Sequence, residues 1–466
     1  MLIKEDIQRP LIRFKHRALA ELRSTLLGAE QRESFAVLIA KREIIGKTEV
    51  FTVHDTRLPT PHDYEERKRA YLRMRKSFIH QCLTEVVKRL DVDTLIEVHT
   101  HPFATDQVFF SNIDDQDERR YNKWLNSHFE NLHYLSIVFS QKRYQARIWR
   151  HDGEMDLPVS ATIKTQTVSE RIPGSNEKPG LEASQEERLL NHVDSIFNRG
   201  SLALGLETMR GIMLDQTITL VGVGGIGSVV AEHLVQMGFQ RLTLIDPDRL
   251  EVSNLNRFVG ATFAQAQAGY HKVEAVAEHL RKLNPEVHVQ VCADGVESEM
   301  AHEFLANSDW IIVSTDNHFS RWTTQQIALR YFIPMIAAGV NITVKDNQVE
   351  DMSGEVITAR SGDSWCLNCL GRINLARIAA ESHPDQAIRS QTLQRGYVTG
   401  MEMKEPAVKT LNTMIATMAV DRLVDQFLPN RPDIPILVYE HNQVSAIYED
   451  RTSMEQRALS CSYCSI

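Results

Sequence analysis

The chain has 466 residues, 42% of them hydrophobic, and a formal net charge of -9 from 61 acidic and 52 basic side chains. That length and apolar content can bury more than one core, and the acidic balance excludes a protein that grips duplex nucleic acid through surplus Lys and Arg. No basic start followed by a long apolar run opens the chain and no stretch has the length of a membrane span, so a cytoplasmic protein without a membrane partner is expected.

In chain order, the first informative strand is Ser34 to Ala40, immediately preceded by Glu33. Tyr71, Met74, Phe78, Cys82, Val86 and Leu90 then form a stripe at helical spacing, which makes Cys82 a core position. Leu95-Ile96-Glu97-Val98 reads as a strand running into His99-Thr100-His101-Pro102. Positions i and i+2 of a strand share a face, so both imidazoles can reach one metal. Ser111-Asn112-Ile113-Asp114 opens a helix with an acidic first turn. Alone, Ser-x-x-Asp is a capping box; beside the two histidines it offers a third ligand. Two His, one Asp and a separate Glu make a zinc hydrolase kit, with an open position for water and one base. Glu30 is the alternative base.

This pattern, E…H-x-H-P…S-x-x-D from Glu33 to Arg150, resembles the JAB/MPN+ (JAMM) metallopeptidases, which remove ubiquitin-like modifiers by cleaving peptide or isopeptide bonds. The resemblance implies an α/β domain over residues 1–160 in which His99, His101 and Asp114 bind a catalytic zinc. It further implies that Glu33 activates water and that Ser111 helps stabilise the oxyanion. The glycines that often follow the family's Glu are replaced by Phe35 to Ile39.

From Ile163 to Glu187 the chain carries Thr, Ser, Lys, Pro and Gly with almost no apolar periodicity, which predicts a linker over 161–186. Beyond it, Ile218 to Val221 has the look of a buried parallel strand. Gly222-Val223-Gly224-Gly225-Ile226-Gly227 follows, and Val229, Val230, Leu234 and Val235 continue at helical spacing to a stop at Gly238. Glycines there allow backbone N–H groups to approach phosphate at the positive end of a helix dipole. A second strand, Leu242 to Ile245, ends at Asp246, where a carboxylate can accept from ribose hydroxyls. NAD, FAD, SAM and ATP enzymes all use such a unit.

Narrower signals follow: Asp246-Pro247-Asp248, Ser253-Asn254-Leu255-Asn256-Arg257, Lys272, and Thr315-Asp316-Asn317 after a strand at Trp310 to Val313. Cys292 closes an alternating run and reads as a core position. Cys366-Leu367-Asn368-Cys369 and Cys461-Ser462-Tyr463-Cys464 form two C-x-x-C pairs that can surround one tetrahedral zinc; two separate redox pairs are the other reading. Six cysteines, four of them in these pairs, suit a reducing compartment.

From about Glu187 to the C-terminus, including Glu405-Pro406-Ala407-Val408 before an apolar helix, this series resembles the ThiF/MoeB/HesA family, relatives of the ubiquitin-activating enzymes. The resemblance implies a Rossmann-like domain over 187–466, with a structural zinc on Cys366, Cys369, Cys461 and Cys464. It also implies ATP and Mg2+ as cofactors, with adenylation of the C-terminal carboxylate of a ubiquitin-like protein. Arg257 and Lys272 match the family's phosphate-contacting cations, Asp316 its magnesium-organising carboxylate, and Asp246 its ribose-binding one. Asp248 and Asn254 match polar positions around the nucleotide. Asp316 could also cap the next helix. A further Arg from a neighbouring subunit is either Arg188 or Arg199, and a homodimer is implied. No cysteine lies between Cys369 and Cys461 to carry a thioester.

The expected protein is a two-headed enzyme of a prokaryotic ubiquitin-like pathway that activates a modifier and trims or removes it. Two alternatives stand beside it: sulfur-carrier chemistry with a sulfurtransferase in place of a conjugating enzyme, and an N-terminal half that only docks the modifier.

Overall fold

The computed structural model describes residues 9–28, 32–151, 156–167, 170–175, 196–346, 348–363, 365–382, 407–428, 430–442, 444–457, 461 and 463–464. The chain divides into two compact units, Met1–Leu181 and Glu182–Ile466.

The first unit is built on an eight-stranded sheet of order β10-β1-β3-β2-β6-β7-β8-β9. Its strands are β1 (Leu11–Phe14), β2 (Phe35–Ile45), β3 (Thr48–Arg57), β6 (Thr94–Thr100), β7 (His133–Phe139), β8 (Tyr144–His151), β9 (Asp156–Ser160) and β10 (Thr162–Lys164). A separate hairpin joins β4 (Tyr64–Arg67) to β5 (Leu72–Met74), and the helices are α1 (Ala18–Leu26), α2 (Lys76–Lys88) and α3 (Asn112–His128). Side chains alternate across a strand, and β2 uses both faces. Ala36, Leu38 and Ala40 pack with Leu19, Leu22 and Leu26 of α1. Phe35, Val37 and Ile39 pack with Phe78, Cys82 and Val86 of α2 and Leu125 of α3. Each fully buried aliphatic side chain contributes roughly 1.5–3 kcal/mol, so neither face is free to slip register. In β6, Ile96 and Val98 join the α1 side and Leu95 the other. Strand parity therefore turns His99 towards α3.

Two expectations need correction. The stripe from Tyr71 to Leu90 is helical only over α2; Met74 belongs to β5, and Leu90 lies past the helix end and is 98% exposed. The segment expected to be a linker begins inside the first unit. There β10 pairs in parallel with β1, Ile163 and Ile172 are buried, and Ser175 N–H donates to the Tyr144 carbonyl at 2.6 Å. Two isolated isoleucines give no periodicity, yet they fill the α1-side core. Between them, Gln166 Nε2 donates to Phe14 O at 3.3 Å and Glu170 Oε1 accepts from Arg17 N at 2.8 Å. Residues 176–186 lie outside the described residues.

In the second unit the sheet order is β13-β12-β11-β14-β15-β16-β17-β18. Its strands are β11 (Thr217–Val221), β12 (Arg241–Ile245), β13 (His288–Cys292), β14 (Trp310–Val313), β15 (Met335–Lys345), β16 (Gln348–Ala359), β17 (Ile436–His441) and β18 (Ser445–Glu449). The helices are α4 (Asn198–Leu204), α5 (Leu206–Asp215), α6 (Gly227–Gln236), α7 (Phe263–Gln267), α8 (Lys272–Leu283), α9 (Glu299–Ala306), α10 (His318–Arg330), α11 (Leu375–Glu381), α12 (Lys409–Asp425) and α13 (Arg451–Glu455). The first five strands are parallel neighbours in the 3-2-1-4-5 order of a Rossmann-like sheet, and β16 to β18 extend it antiparallel. Between β11 and β14 the strand order reverses, and ligands of such sheets sit at the carboxyl ends there. In α8, Val273, Val276, Ala277 and Leu280 recur at helical spacing and are all buried.

Candidate functional site

At the switch point, β11 runs into Gly222, whose φ of 87° falls in the left-handed region that favours glycine. A Cβ on Gly222 would meet Thr315 Cγ2 at 2.7 Å, and one on Gly227 would lie 2.0 Å from the Gly222 carbonyl oxygen. The loop therefore closes on itself before α6 begins. Gly227→Ala is expected to lower the melting temperature by roughly 5–10 °C, from an overpacking cost of about 3 kcal/mol against backbone that cannot yield. An unchanged thermal transition would show that the loop relaxes. Gly224 has open space around its Cβ direction, whereas a Cβ on Gly225 would meet Asn412 Nδ2 at 2.5 Å and the Arg257 stem at 3.1 Å.

Asp246, buried at the end of β12, ties this loop to the next. Its Oδ2 accepts from Val223 N at 2.7 Å and its Oδ1 from Asp248 N at 2.9 Å. Burial pushes the Asp246 pKa up from the usual carboxylate value, against the pull of Lys272. Lys272 opens α8 and places Nζ 2.6 Å from Asp248 Oδ2. Burial works against the Lys272 charge, but Asp246 and Asp248 outweigh it and hold its pKa above the ordinary value. Asn254 Oδ1 accepts from Glu251 N at 3.0 Å, shaping the turn that leads to Arg257. The Arg257 guanidinium donates to Ser253 O at 3.2 Å and Asn256 Oδ1 at 3.1 Å.

Asp316 follows β14, is exposed, and contributes to the field at Lys272. The capping alternative for Asp316 is corrected: Asn317 is the N-cap of α10, its Oδ1 accepting from Ser320 N at 2.7 Å. Arg199 lies exposed in α4. Arg188 and Glu405-Pro406 lie outside the described residues. Sequence reasoning passed over the first turn of α12, where Lys409 Nζ donates to Arg257 O at 3.1 Å and Asn412 is 3% exposed against the loop. A lone Asn inside an apolar helical run was the signal available.

The two C-x-x-C pairs come together 95 positions apart in the chain. Cys366 Sγ lies 3.6 Å from Cys369 Sγ and 3.8 Å from Cys461 Sγ, and Cys369 Sγ lies 3.4 Å from Cys464 Sγ. Four sulfurs at about 2.3 Å from a tetrahedral zinc stand about 3.8 Å apart, so this cluster fits the ion and leaves no open position. Replacing Cys461 and Cys464 by serine is expected to remove one equivalent of zinc and lower the melting temperature together, read by elemental analysis and calorimetry; retention of both would return the pairs to the redox reading. Cys82 and Cys292 are buried in their cores.

In the first unit, β6, the residue just past its end and α3 bring His99, His101 and Asp114 together with ligand atoms all within 4.8 Å of one another. Asp114 Oδ2 stands 3.6 Å from His99 Nε2 and 4.0 Å from His101 Nε2, while Glu33 Oε1 stands 3.8 Å from His101 Nε2. The capping box forms as well: Ser111 Oγ accepts from Asp114 N at 3.2 Å and Asp114 Oδ2 accepts from Ser111 N at 2.6 Å. Asp114 thus starts the helix and faces the histidines with the same oxygen. Glu33 is held through its backbone, where N–H donates to Lys68 O at 3.0 Å and the carbonyl accepts from Arg67 Nε at 2.8 Å. Behind α3, buried Glu118 accepts from Ser136 Oγ at 2.5 Å, Arg147 Nε at 2.9 Å and Trp149 Nε1 at 2.7 Å.

Electrostatics fit a cation. Burial pushes Glu33 up to about 7, near where a general base works best. Burial also opposes ionisation of Asp114, but the His99 contact and the Ser111 bonds outweigh it and hold the carboxyl far below the usual range. Burial and neighbouring His99 push His101 down to about 4, so it is a neutral donor at pH 7. His99 Nε2 is buried without a hydrogen-bond partner among the described residues. Glu30 lies outside the described residues.

The model of the ThiF family matches residues 204–462, more than half of the chain. The chain belongs to the ThiF family. This ThiF region contains the glycine loop, Asp246, Lys272, Asp316 and three of the four clustered cysteines, and it excludes the first unit. Among curated relatives, the SAMP-activating enzyme E1 of Haloferax volcanii is 28% identical over 162 residues, covering 34% of this chain and 56% of that protein. A ubiquitin-like modifier-activating enzyme 5 from Drosophila persimilis is 30% identical over 223 residues, covering 45% of this chain and 52% of that protein. The chain spans about half the length of these relatives. A crystal structure of E. coli MccB with succinimide aligns with a TM-score of 0.44 at 17% identity, covering 61% of this chain and 82% of that one. No helix among the described residues is long and apolar enough to cross a membrane.

Proposed function

We propose that the ThiF region adenylates the C-terminus of a ubiquitin-like protein with ATP and Mg2+, and that the N-terminal unit is a JAMM-type zinc peptidase that trims or releases the same modifier. The observation that carries the first half is the convergence of the Gly222–Gly227 loop, Asp246, Lys272 and Asp316 at one sheet switch point. There the loop N–H groups and the α6 dipole receive phosphate, and Asp246 accepts from ribose. Lys272 and Arg257 offset phosphate charge as the modifier carboxylate attacks the α-phosphate and pyrophosphate leaves. Magnesium, held near Asp316, supplies further charge stabilisation when bound.

In the N-terminal unit His99, His101 and Asp114 would hold zinc, which when bound lowers the pKa of a water towards 7. Glu33 takes that water's proton, and Ser111 offers its hydroxyl proton towards the oxyanion. The membership of His101 and Glu33 in one cluster favours catalysis over docking, because a docking surface needs no buried base.

One observation favours sulfur-carrier chemistry as a second reading. Cys82 and Cys292 are buried and the other four cysteines cluster, so among the described residues none is placed to capture the adenylate as a thioester. The test of the main reading is exchange of labelled pyrophosphate into ATP by the full chain with ubiquitin-like proteins encoded beside it. Exchange that depends on the modifier's free C-terminus supports adenylation, and none with any of them removes it. A neighbouring sulfurtransferase rather than a conjugating enzyme would select the second reading.

A further inference from the structure

The four-cysteine cluster and Asp316 share one helix. Asp316 sits just before α10, fixed on both sides: Arg321 Nε donates to Thr315 O at 2.8 Å, and Asn317 caps the first turn. Further along, Trp322 meets Tyr463 edge-on at 4.6 Å, and near the far end Leu329 packs against the cluster. Between them Gln325, 1% exposed, accepts through Oε1 from Leu367 N at 2.6 Å, inside the first C-x-x-C pair. Its Nε2 is buried with no acceptor among the described residues, the four sulfurs included, so Gln325 holds the pair through the Leu367 backbone alone.

A second path leads from the cluster to the same helix end. Past Cys369 the chain turns at Gly371, with φ of 67°, and enters α11. Asn374 N donates to His318 Nδ1 at 3.1 Å, and Glu381 Oε2 accepts from Phe319 N at 2.7 Å. Thus the cluster holds α10 at its middle through Gln325 and at its start through α11. A helix of this length is a strut of about 20 Å that transmits displacement rather than absorbing it.

We propose that Gln325 is a positioning residue of the four-cysteine cluster and that α10 carries the cluster's metal occupancy to Asp316, so that zinc loss weakens Mg2+-dependent ATP binding. The inference rests on the role proposed above for Asp316.

The full chain would be tested with a fluorescent ATP analogue titrated against MgCl2, and with a chromogenic chelator that reports zinc release. Gln325→Leu should release zinc about tenfold faster, the low end for loss of a group that orients a metal ligand. It should also raise the Mg2+ needed for half-maximal analogue binding about tenfold, as should chelator-stripped wild type. Glu381→Ala, which touches no thiol, should shift the Mg2+ requirement and leave zinc release unchanged. Unaltered zinc release in Gln325→Leu overturns the role of Gln325. An unaltered Mg2+ requirement in stripped wild type, or in Glu381→Ala, overturns the strut; both measurements stand even if Gln325→Leu fails to fold. Wild type that binds the analogue without Mg2+ dependence removes the Asp316 reading instead.

Discussion

Asp316→Ala should lose most pyrophosphate exchange while keeping the melting temperature of the wild type. The two halves of that expectation come from different observations. Asp316 is exposed, makes no hydrogen bond or ion pair among the described residues, and leaves the capping of α10 to Asn317. Alanine there removes a carboxylate and no structural contact. What it removes from catalysis is the organiser of a divalent cation beside Lys272, an effect of several kcal/mol, on the order of 100-fold or more in rate. Asn317→Ala is the informative partner, because it strips the cap and should cost about 1 kcal/mol of stability. Exchange at the wild-type rate in Asp316→Ala would assign the cation to other groups.

The second large effect separates base from ligand in the N-terminal unit. Glu33→Gln should retain zinc and abolish cleavage of a modifier fused through its C-terminus, since an amide of the same shape cannot take a proton from water. His99→Ala should lose zinc and cleavage together, because two protein ligands rarely hold the ion in an open site. The geometry sharpens the contrast: Glu33 stands 3.8 Å from His101, beside the three ligand side chains, and is fixed by its own backbone bonds rather than through them. Cleavage by Glu33→Gln would move the base elsewhere, and a wild-type unit without zinc would favour docking. Neither variant should alter exchange in the ThiF region, because each site is assembled entirely from residues of its own compact unit.

The legible parts of this chain were those with short-range grammar. Strand, glycine loop and helix at 217–236 follow one another directly, so periodicity and φ demands suffice. The histidine pair was legible because His99 in β6 and His101, one residue past its end, stand at i and i+2 of extended chain, and Asp114 because the capping motif fixes where α3 starts. What escaped depends on distant packing. Asn412 meets Gly225 from 187 residues away, and its place in an apolar helical run shows that it is unusual but not what it touches. Residues 163–175 looked unstructured because two buried isoleucines are too few to make a pattern, although the core supplies the rest of their surroundings. Asn317 and Asp316 are both helix-capping types, and only the folded chain decides which side chain turns back to the helix.

The separation of the clustered cysteine pairs has a consequence for the unfolded chain. A metal that joins Cys366 to Cys461 closes a loop of 95 positions. In the loop-entropy account, a permanent link across about 100 residues removes about 4.7 kcal/mol of freedom from the denatured ensemble, and a retained metal would act in the same sense. Much of the cluster's stabilising effect would then lie in what it denies the disordered chain, and a protein unfolded with its metal still bound should refold faster than one stripped first, because its two ends have already met.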